Sequence, residues 1–406
     1  MFADGEKRST MKGYSRHQWV YRALRFLMGP YLKHKFQYTY EEAKVKHRPY
    51  IVLSNHNTDW DPFLVGLSFP DPMYFVASDH IFRWGLISKI IKYLVSPIPR
   101  IKANKEVETV MQIMRRLNDG ANICIFAEGN RSFTGETGQI FLSSGKLIKR
   151  CRAALVTYRL EGGYLSSPRW AKRLRRGKMS GRMIREYSPE EIAQMSVDEI
   201  NAAIARDLYV NADADQQKNP VAYIGKNLAE NLETALYLCP RCGQINTLTG
   251  RGNTFSCPCG LKLKFTPFGR FESEDGTPPP FSTVLEWSRW QSRQIEERVR
   301  HLPPHPEVIT SDQGQSLYRI HRARKNTLLG KGLLKLTSQQ LILESKDKTW
   351  VFPLDQISDM AIHGSMVLVF STTDRETFEI KTDHPRSALK YVELFKALKS
   401  SIQEEE

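Results

Sequence analysis

Four short apolar runs, at residues 50–53, 74–77, 121–127 and 153–160, govern what this chain can fold into. Each reads as a strand, and residues 121–127 as a buried one. Helical patterning separates them. Asp61 followed by Pro62 marks a helix start, with Asp as N-cap and Pro in the first turn. Residues 81–94 and 105–117 read as helices, the second closed by Gly120, and residues 141–149 as a third. This alternation predicts an α/β domain, a layered sheet with flanking helices.

Upstream, residues 16–28 read as a helix that Gly29-Pro30 should end or kink. It combines Trp19, Val20, Leu24, Phe26, Leu27 and Met28 with Arg16, Arg22 and Arg25. That mix suits either a membrane interface or packing on the neighbouring domain. Downstream, Ser188-Pro189-Glu190-Glu191 starts an acid-capped helical region that reaches Tyr209.

The character of the chain changes near Ala222. Cys239-Pro240-Arg241-Cys242-Gly243 is a Cys-x2-Cys knuckle with a glycine turn, and Cys257-Pro258-Cys259-Gly260 is a tighter partner. Four thiolates on two turns suit tetrahedral zinc, with iron as the other metal such a set takes. Every position is a cysteine, so no coordination site stays open and the expected metal is structural; the region resembles a zinc ribbon. Of the six cysteines, Cys124 and Cys151 stand apart in apolar runs and read as reduced core residues. Residues 276–280 form a loop before a helix at 281–300, and Leu302-Pro303-Pro304-His305-Pro306 reads as a stiff linker. Strands at 333–336, 340–344, 349–352, 366–370 and 377–380, then an amphipathic helix at 385–402, make a small β domain that resembles PH-like or GRAM-type domains. The expected organisation is a domain at 1–220, the cysteine region with its helix at 221–300, and the β domain at 310–406.

Two of the strand ends carry chemistry. After the first run comes Asn55-His56-Asn57-Thr58-Asp59-Trp60-Asp61. A neutral imidazole takes a hydroxyl proton near neutral pH, and a carboxylate fixes its tautomer. By spacing alone, His56 and Asp61 fit that pair or merely a loop residue and a cap. After the third run comes Glu128-Gly129-Asn130-Arg131-Ser132. Gly129 permits close backbone approach to a ligand, and Arg131 suits a phosphate. Between them, Arg100 and Lys102 are candidates for a second anionic contact.

In this order the segments resemble the glycerolipid acyltransferases of the 1-acylglycerol-3-phosphate acyltransferase type. His56-(x4)-Asp61 matches the family's catalytic block, with Thr58 where serine is common. Pro99-Arg100 matches the block whose arginine contacts the acceptor phosphate. Phe126-Ala127-Glu128-Gly129-Asn130-Arg131-Ser132 matches the third, with Ala127 and Asn130 as departures. Ala154-Leu155-Val156-Thr157-Tyr158 stands where the fourth carries a proline. The resemblance spans residues 30–210. It implies His56 as base and Asp61 as its partner. It also implies that Glu128, Gly129, Arg131, Arg100 and Lys102 hold a lysophospholipid, with acyl-CoA or acyl carrier protein as donor.

The chain has a net charge of +15, which favours anionic partners. Residues 169–185 carry eight Lys/Arg and no acid, a run that could face anionic lipid. Zinc ribbons and basic charge also occur together in nucleic-acid binders, so a lipid- or nucleic-acid-binding protein without catalysis is the competing reading. It leaves the His56 and Glu128 segments unexplained. No apolar run of about 18 residues and no signal peptide is visible. The expectation is a cytoplasmic protein bound peripherally to the cytosolic face of a membrane.

Overall fold

The computed structural model describes residues 14–78, 93–100, 106–303, 307–321 and 326–405. The chain divides into two compact units. One comprises residues up to Pro168 with Arg175–Ile224, the other Arg169–Leu174 with Gly225–Glu406.

In the first unit, seven strands form one sheet: β1 (Thr39–Tyr40), β2 (Tyr50–Ser54), β3 (Met73–Ser78), β4 (Ile98–Arg100), β5 (Asn122–Phe126), β6 (Ala154–Glu161) and β7 (Ser180–Tyr187). Their order is β1-β7-β6-β2-β5-β3-β4, and neighbours run parallel except β6 and β7. Val52, Cys124 and Val156 face one core, which also holds Leu32, Phe36, Leu64 and Val65 of the helices Tyr14–Phe36 and Asp61–Ser68. Ile51, Leu53, Ile123 and Leu155 face the other, with Ile113, Leu117, Ile148, Ile200 and Ile204 of the helices Glu106–Asn118, Ser143–Cys151 and Val197–Leu208. Both faces are covered, which is why the strands read as continuous apolar runs. The four expected strands lie within two residues of β2, β3, β5 and β6.

Some local expectations change. The first helix runs unbroken through Pro30 to Phe36. Beyond the proline, Leu32 and Phe36 are fully buried. Burying two such side chains is worth about 3–6 kcal/mol, enough to offset the roughly 3 kcal/mol of an interior proline. Asp61 is the first residue of its helix; Trp60 holds the cap position, without a side-chain capping bond. The basic run is not one solvated face. It overlaps β7, and Arg169 and Arg175 are buried while the other six cations are exposed. Most of the expected helix at 81–94 lies outside the described residues. Cys151 ends a helix, whereas Cys124 lies wholly inside the core.

The second unit begins with a four-stranded antiparallel sheet, β8 (Thr249–Arg251), β9 (Thr254–Ser256), β10 (Lys262–Phe265) and β11 (Phe271–Ser273). Phe255 and Phe271 pack on Trp287 of the helix Val284–Arg300, with ring centroids 5.5 and 5.4 Å from it. Trp170, from the short Arg169–Leu174 segment, lies edge-on to Phe265 at 5.6 Å. Arg169 donates to the carbonyls of Gly364 and Ile362 at 2.7 and 3.1 Å. A second, seven-stranded sheet follows: β12 (Val308–Arg319), β13 (Thr327–Thr337), β14 (Gln340–Glu344), β15 (Thr349–Pro353), β16 (Ile357–His363), β17 (Val367–Thr372) and β18 (Thr377–Thr382). All its pairings are antiparallel, and the helix Leu389–Glu405 closes the chain. The sequence reading missed β12 and β16, whose polar stretches (Thr310 to Gln315, and Ser358 with Asp359) weaken the apolar period.

No helix among the described residues is long and apolar enough to cross a membrane.

One polar group ties the main sheet of the first unit to a helix. The Asp207 carboxylate is buried and accepts from Thr157 Oγ1 on β6 at 2.9 Å and from the Tyr187 hydroxyl on β7 at 2.6 Å. Asp207→Ala removes the acceptor of the Tyr187 hydroxyl and leaves Thr157 only the longer contact to the Arg185 carbonyl at 3.3 Å. It should lower the unfolding free energy by about 1–3 kcal/mol, seen as a lower urea midpoint at unchanged slope. An unshifted midpoint would show that the group carries no stability.

Candidate active site and metal centre

β2 and β5 are adjacent and parallel, with Ser54 opposite Phe126. The turns that follow, residues 55–61 and 127–132, therefore leave the sheet side by side at its carboxyl edge, where open α/β sheets place their ligands.

His56 stands in the first turn with its side chain 22% exposed. Its Nδ1 lies 2.8 Å from Asp61 Oδ2, and its ring stacks on Phe126 with centroids 4.5 Å apart. With Asp61 accepting, the Nδ1 proton is fixed and Nε2 keeps its lone pair. Asp61 is fully buried. Oδ2 also accepts the backbone N–H groups of Asn57 (2.6 Å) and Thr58 (2.9 Å), and Oδ1 accepts the Thr58 hydroxyl (2.7 Å). The carboxylate thus spends its acceptor capacity on the turn and the imidazole rather than on its own helix.

Neighbouring strands hold this turn. The Asn55 amide donates to the Leu160 carbonyl and accepts the Leu160 N–H, each at 2.8 Å, and the Asn57 amide donates to the same carbonyl at 3.1 Å. On the β5 side, Glu128 Oε1 accepts the His56 N–H at 2.8 Å, and Oε2 accepts the Gly138 N–H at 2.7 Å. Burial pushes the Glu128 carboxyl up to about 7, against the lowering effect of those two N–H groups.

Gly129 has a φ of +67°, and its N–H bonds the Phe126 carbonyl at 3.1 Å, a tight turn that suits glycine. Arg131 follows, largely buried, with Nε 3.6 Å from the exposed Asp59 carboxylate. Arg100 ends β4, opposite Ser78 of β3, at the same edge of the sheet. Lys102 lies outside the described residues. His56, Asp61 and Glu128 form one hydrogen-bonded group, and Arg131 meets the same turn through Asp59. Both Glu128 oxygens, expected to hold substrate, accept backbone N–H groups.

The sequence reading gave no role to Asn55, Thr58, Gly138 or Gly163. Thr58 was findable: Thr-x-x-Asp is a local pattern in which the hydroxyl serves the start of a helix. The others depend on contacts about 10 to 105 residues away along the chain, which no local pattern encodes.

The cysteines form a separate centre in the second unit. The Sγ atoms of Cys239, Cys242, Cys257 and Cys259 lie within 4.8 Å of one another, with Cys239–Cys259 at 3.7 Å and Cys242–Cys257 at 3.8 Å. A tetrahedron of sulfurs about 2.3 Å from a central ion has edges of about 3.8 Å, so the set fits a tetrahedral metal. Each knuckle closes on a left-handed glycine: Gly243 bonds the Cys239 carbonyl and Gly260 the Cys257 carbonyl, at 2.9 and 3.0 Å. It is the one such cluster of possible metal ligands among the described residues.

With this geometry in view, residues 35–161 match the family model described as Acyltransferase. That segment is an acyltransferase-family domain, and it contains His56, Asp61, Arg100, Glu128, Gly129 and Arg131. Among solved structures, the 1-acyl-sn-glycerophosphate (LPA) acyltransferase PlsC of Thermotoga maritima is similar at 15% identity and TM-score 0.43, over 52% of this chain and 85% of that one. The C-terminal domain of an unknown protein from Leishmania infantum is similar at 14% identity and TM-score 0.18, over 27% and 97%. Inner Membrane Complex Sub-compartment Protein 3 of Toxoplasma gondii is similar at 11% identity and TM-score 0.18, over 27% and 87%. No curated protein matches this chain.

Gly163, at the start of the helix Gly163–Ser166, backs the turn that carries His56. A Cβ there would sit 2.5 Å from Asn57 Cβ. Gly163→Ala must displace the turn or the helix and should cost about 1–3 kcal/mol, measured as a fall in the denaturation midpoint. An unchanged midpoint would mean that the turn yields freely.

Proposed function

We propose that this protein is an O-acyltransferase that moves a fatty acyl group from acyl-CoA or acyl carrier protein to the free hydroxyl of a lysophospholipid, 1-acyl-glycerol-3-phosphate or a relative. The observation that carries this reading is the His56–Asp61 pair held beside the Glu128–Arg131 turn, within a segment that matches the acyltransferase family.

On this reading His56 Nε2 takes the hydroxyl proton of the acceptor while Asp61 stabilises the imidazolium. The alkoxide attacks the thioester carbonyl carbon, the C–S bond breaks, and the departing thiolate receives the proton from His56. Gly129 and Arg131 hold the acceptor phosphate, with Arg100 and Lys102 assisting. The protein meets its substrates peripherally, on the cytosolic face of an anionic membrane. The first helix supports this: Trp19, Phe26, Leu27 and Tyr31 are exposed on it, and Arg16, Arg22 and Lys33 are exposed beside them. Aromatic and aliphatic groups among cations suit the headgroup boundary.

His56→Ala should abolish acyl transfer to lysophosphatidate while leaving the denaturation midpoint near that of the wild type. The check is a thioester-release assay with several lysolipids and both carriers, and full activity in the variant would sink the assignment.

The finer reading of the second unit is a zinc ribbon followed by a PH-like β domain. Cys239, Cys242, Cys257 and Cys259 would hold one zinc whose role is structural, since cysteines fill all four positions. Purified protein should carry about one zinc per chain, and stripping the metal should lower the melting temperature. Elemental analysis that finds neither zinc nor iron would refute the centre.

A further inference from the structure

We propose that Glu128 is a positioning residue: it acts through the backbone of His56, holding the turn that aims the imidazole, rather than through contact with the substrate. This deepens the acyltransferase reading and rests on it.

Glu128 is 7% exposed, and each oxygen takes one backbone N–H, from His56 at 2.8 Å and from Gly138 at 2.7 Å. Those donors belong to different loops, one after β2 and one well after β5, so the carboxylate spans them. The His56 side chain is already oriented by Asp61 at Nδ1 and by stacking on Phe126. Neither contact fixes where the ring stands along the sheet edge. The backbone of the turn does: Asn55 and Asn57 hold it from Leu160, and Glu128 holds the His56 N–H from the β5 side.

A phosphate-binding role suits this group poorly. A carboxylate repels a phosphate, and this one is also near Asp61, whose charge works against its ionisation while His56 favours it. Burial pushes the carboxyl up to about 7, and in its ionised form it accepts from both N–H groups at once. A neutral amide has one acceptor oxygen and one donor nitrogen, so it satisfies one N–H and confronts the other.

The test compares wild type, Glu128→Gln and Glu128→Asp in two measurements. Steady-state kinetics with lysophosphatidate and acyl-CoA read kcat and KM separately. Positioning predicts that E128Q loses on the order of 10- to 100-fold in kcat, with the acceptor KM changed by no more than about 2- to 3-fold. E128D, which keeps the charge on a shorter arm, should recover part of that loss. A raised KM at unchanged kcat would overturn the proposal in favour of substrate binding. Amide hydrogen exchange at His56, read by NMR without substrate, is the second measurement. It should be at least about 10-fold faster in E128Q than in wild type, since a bond to a charged acceptor is lost. Unchanged protection overturns the proposal even if the enzyme assay is silent. A wild type inactive with every acceptor and donor would refute the acyltransferase reading, and the exchange result would still decide the role of Glu128.

Discussion

The Asp61 carboxylate is fully buried, and a buried carboxylate is costly unless donors surround it. Four do: the imidazole of His56, the N–H groups of Asn57 and Thr58, and the Thr58 hydroxyl. The dependence is mutual. The turn folds the chain so tightly that these N–H groups have no strand or helix partner, and the carboxylate supplies one. Turn shape, ring orientation and helix start therefore form one cooperative unit. The sheet contributes the rest. β2 runs between β5 and β6, so each neighbour reaches the turn: Leu160 of β6 through the Asn55 amide, and Glu128, just past β5, through the His56 N–H.

Much of this was legible because the information was local. Apolar runs gave β2, β3, β5 and β6, and the residues at two of their ends gave His56, Asp61, Gly129 and Arg131. What stayed hidden was non-local. β7 begins inside a basic run, and pairing with β6 gives it a place in the sheet that its composition does not announce. The first helix continues past Pro30 because Leu32 and Phe36 have a core to enter, and that core is built from residues far along the chain. Asp61 reads as a helix cap by composition, since Asp before Pro usually caps. Its carboxylate instead turns back toward the preceding loop, where two N–H groups and a hydroxyl outbid a single cap bond. The placement of Glu128 depends on Gly138 and on the order of strands, neither of which a linear pattern carries.

The second unit shows the same principle in its polar contacts. The Pro-rich run at 302–306 reads locally as a boundary, yet groups on either side of it meet. Asn246, four residues after Cys242 and in a left-handed conformation, donates to the Ser311 carbonyl of β12 at 3.2 Å. Lys390 of the closing helix, with no exposed surface, pairs with Asp312 of β12 at 2.6 Å, and the Tyr391 hydroxyl donates to the same carboxylate oxygen at 2.6 Å. Burial draws the Lys390 ammonium down to about 8, while Asp312 holds it up. Removing one partner of such a pair leaves a buried charge uncompensated, so the strand, the helix and the cysteine-bearing turn are bound to one arrangement.

The two buried acids beside His56 divide one task. Asp61 fixes the side chain through Nδ1, and Glu128 fixes the backbone through the N–H. Either alone leaves a freedom. With only Asp61, the ring keeps its tautomer while the turn is held from the β6 side alone, by Asn55 and Asn57 on Leu160. With only Glu128, the turn stays and the ring rotates. Both acids are buried, while the His56 side chain keeps some exposure. Asp61 at Nδ1 leaves the lone pair on Nε2. Arg131 stands at the head of the second turn, where positive charge favours an anionic acceptor. On the proposed acyl-transfer reading, a buried acid at Nδ1 and a guanidinium on the neighbouring turn suit a base that takes a proton from a phosphate-bearing acceptor.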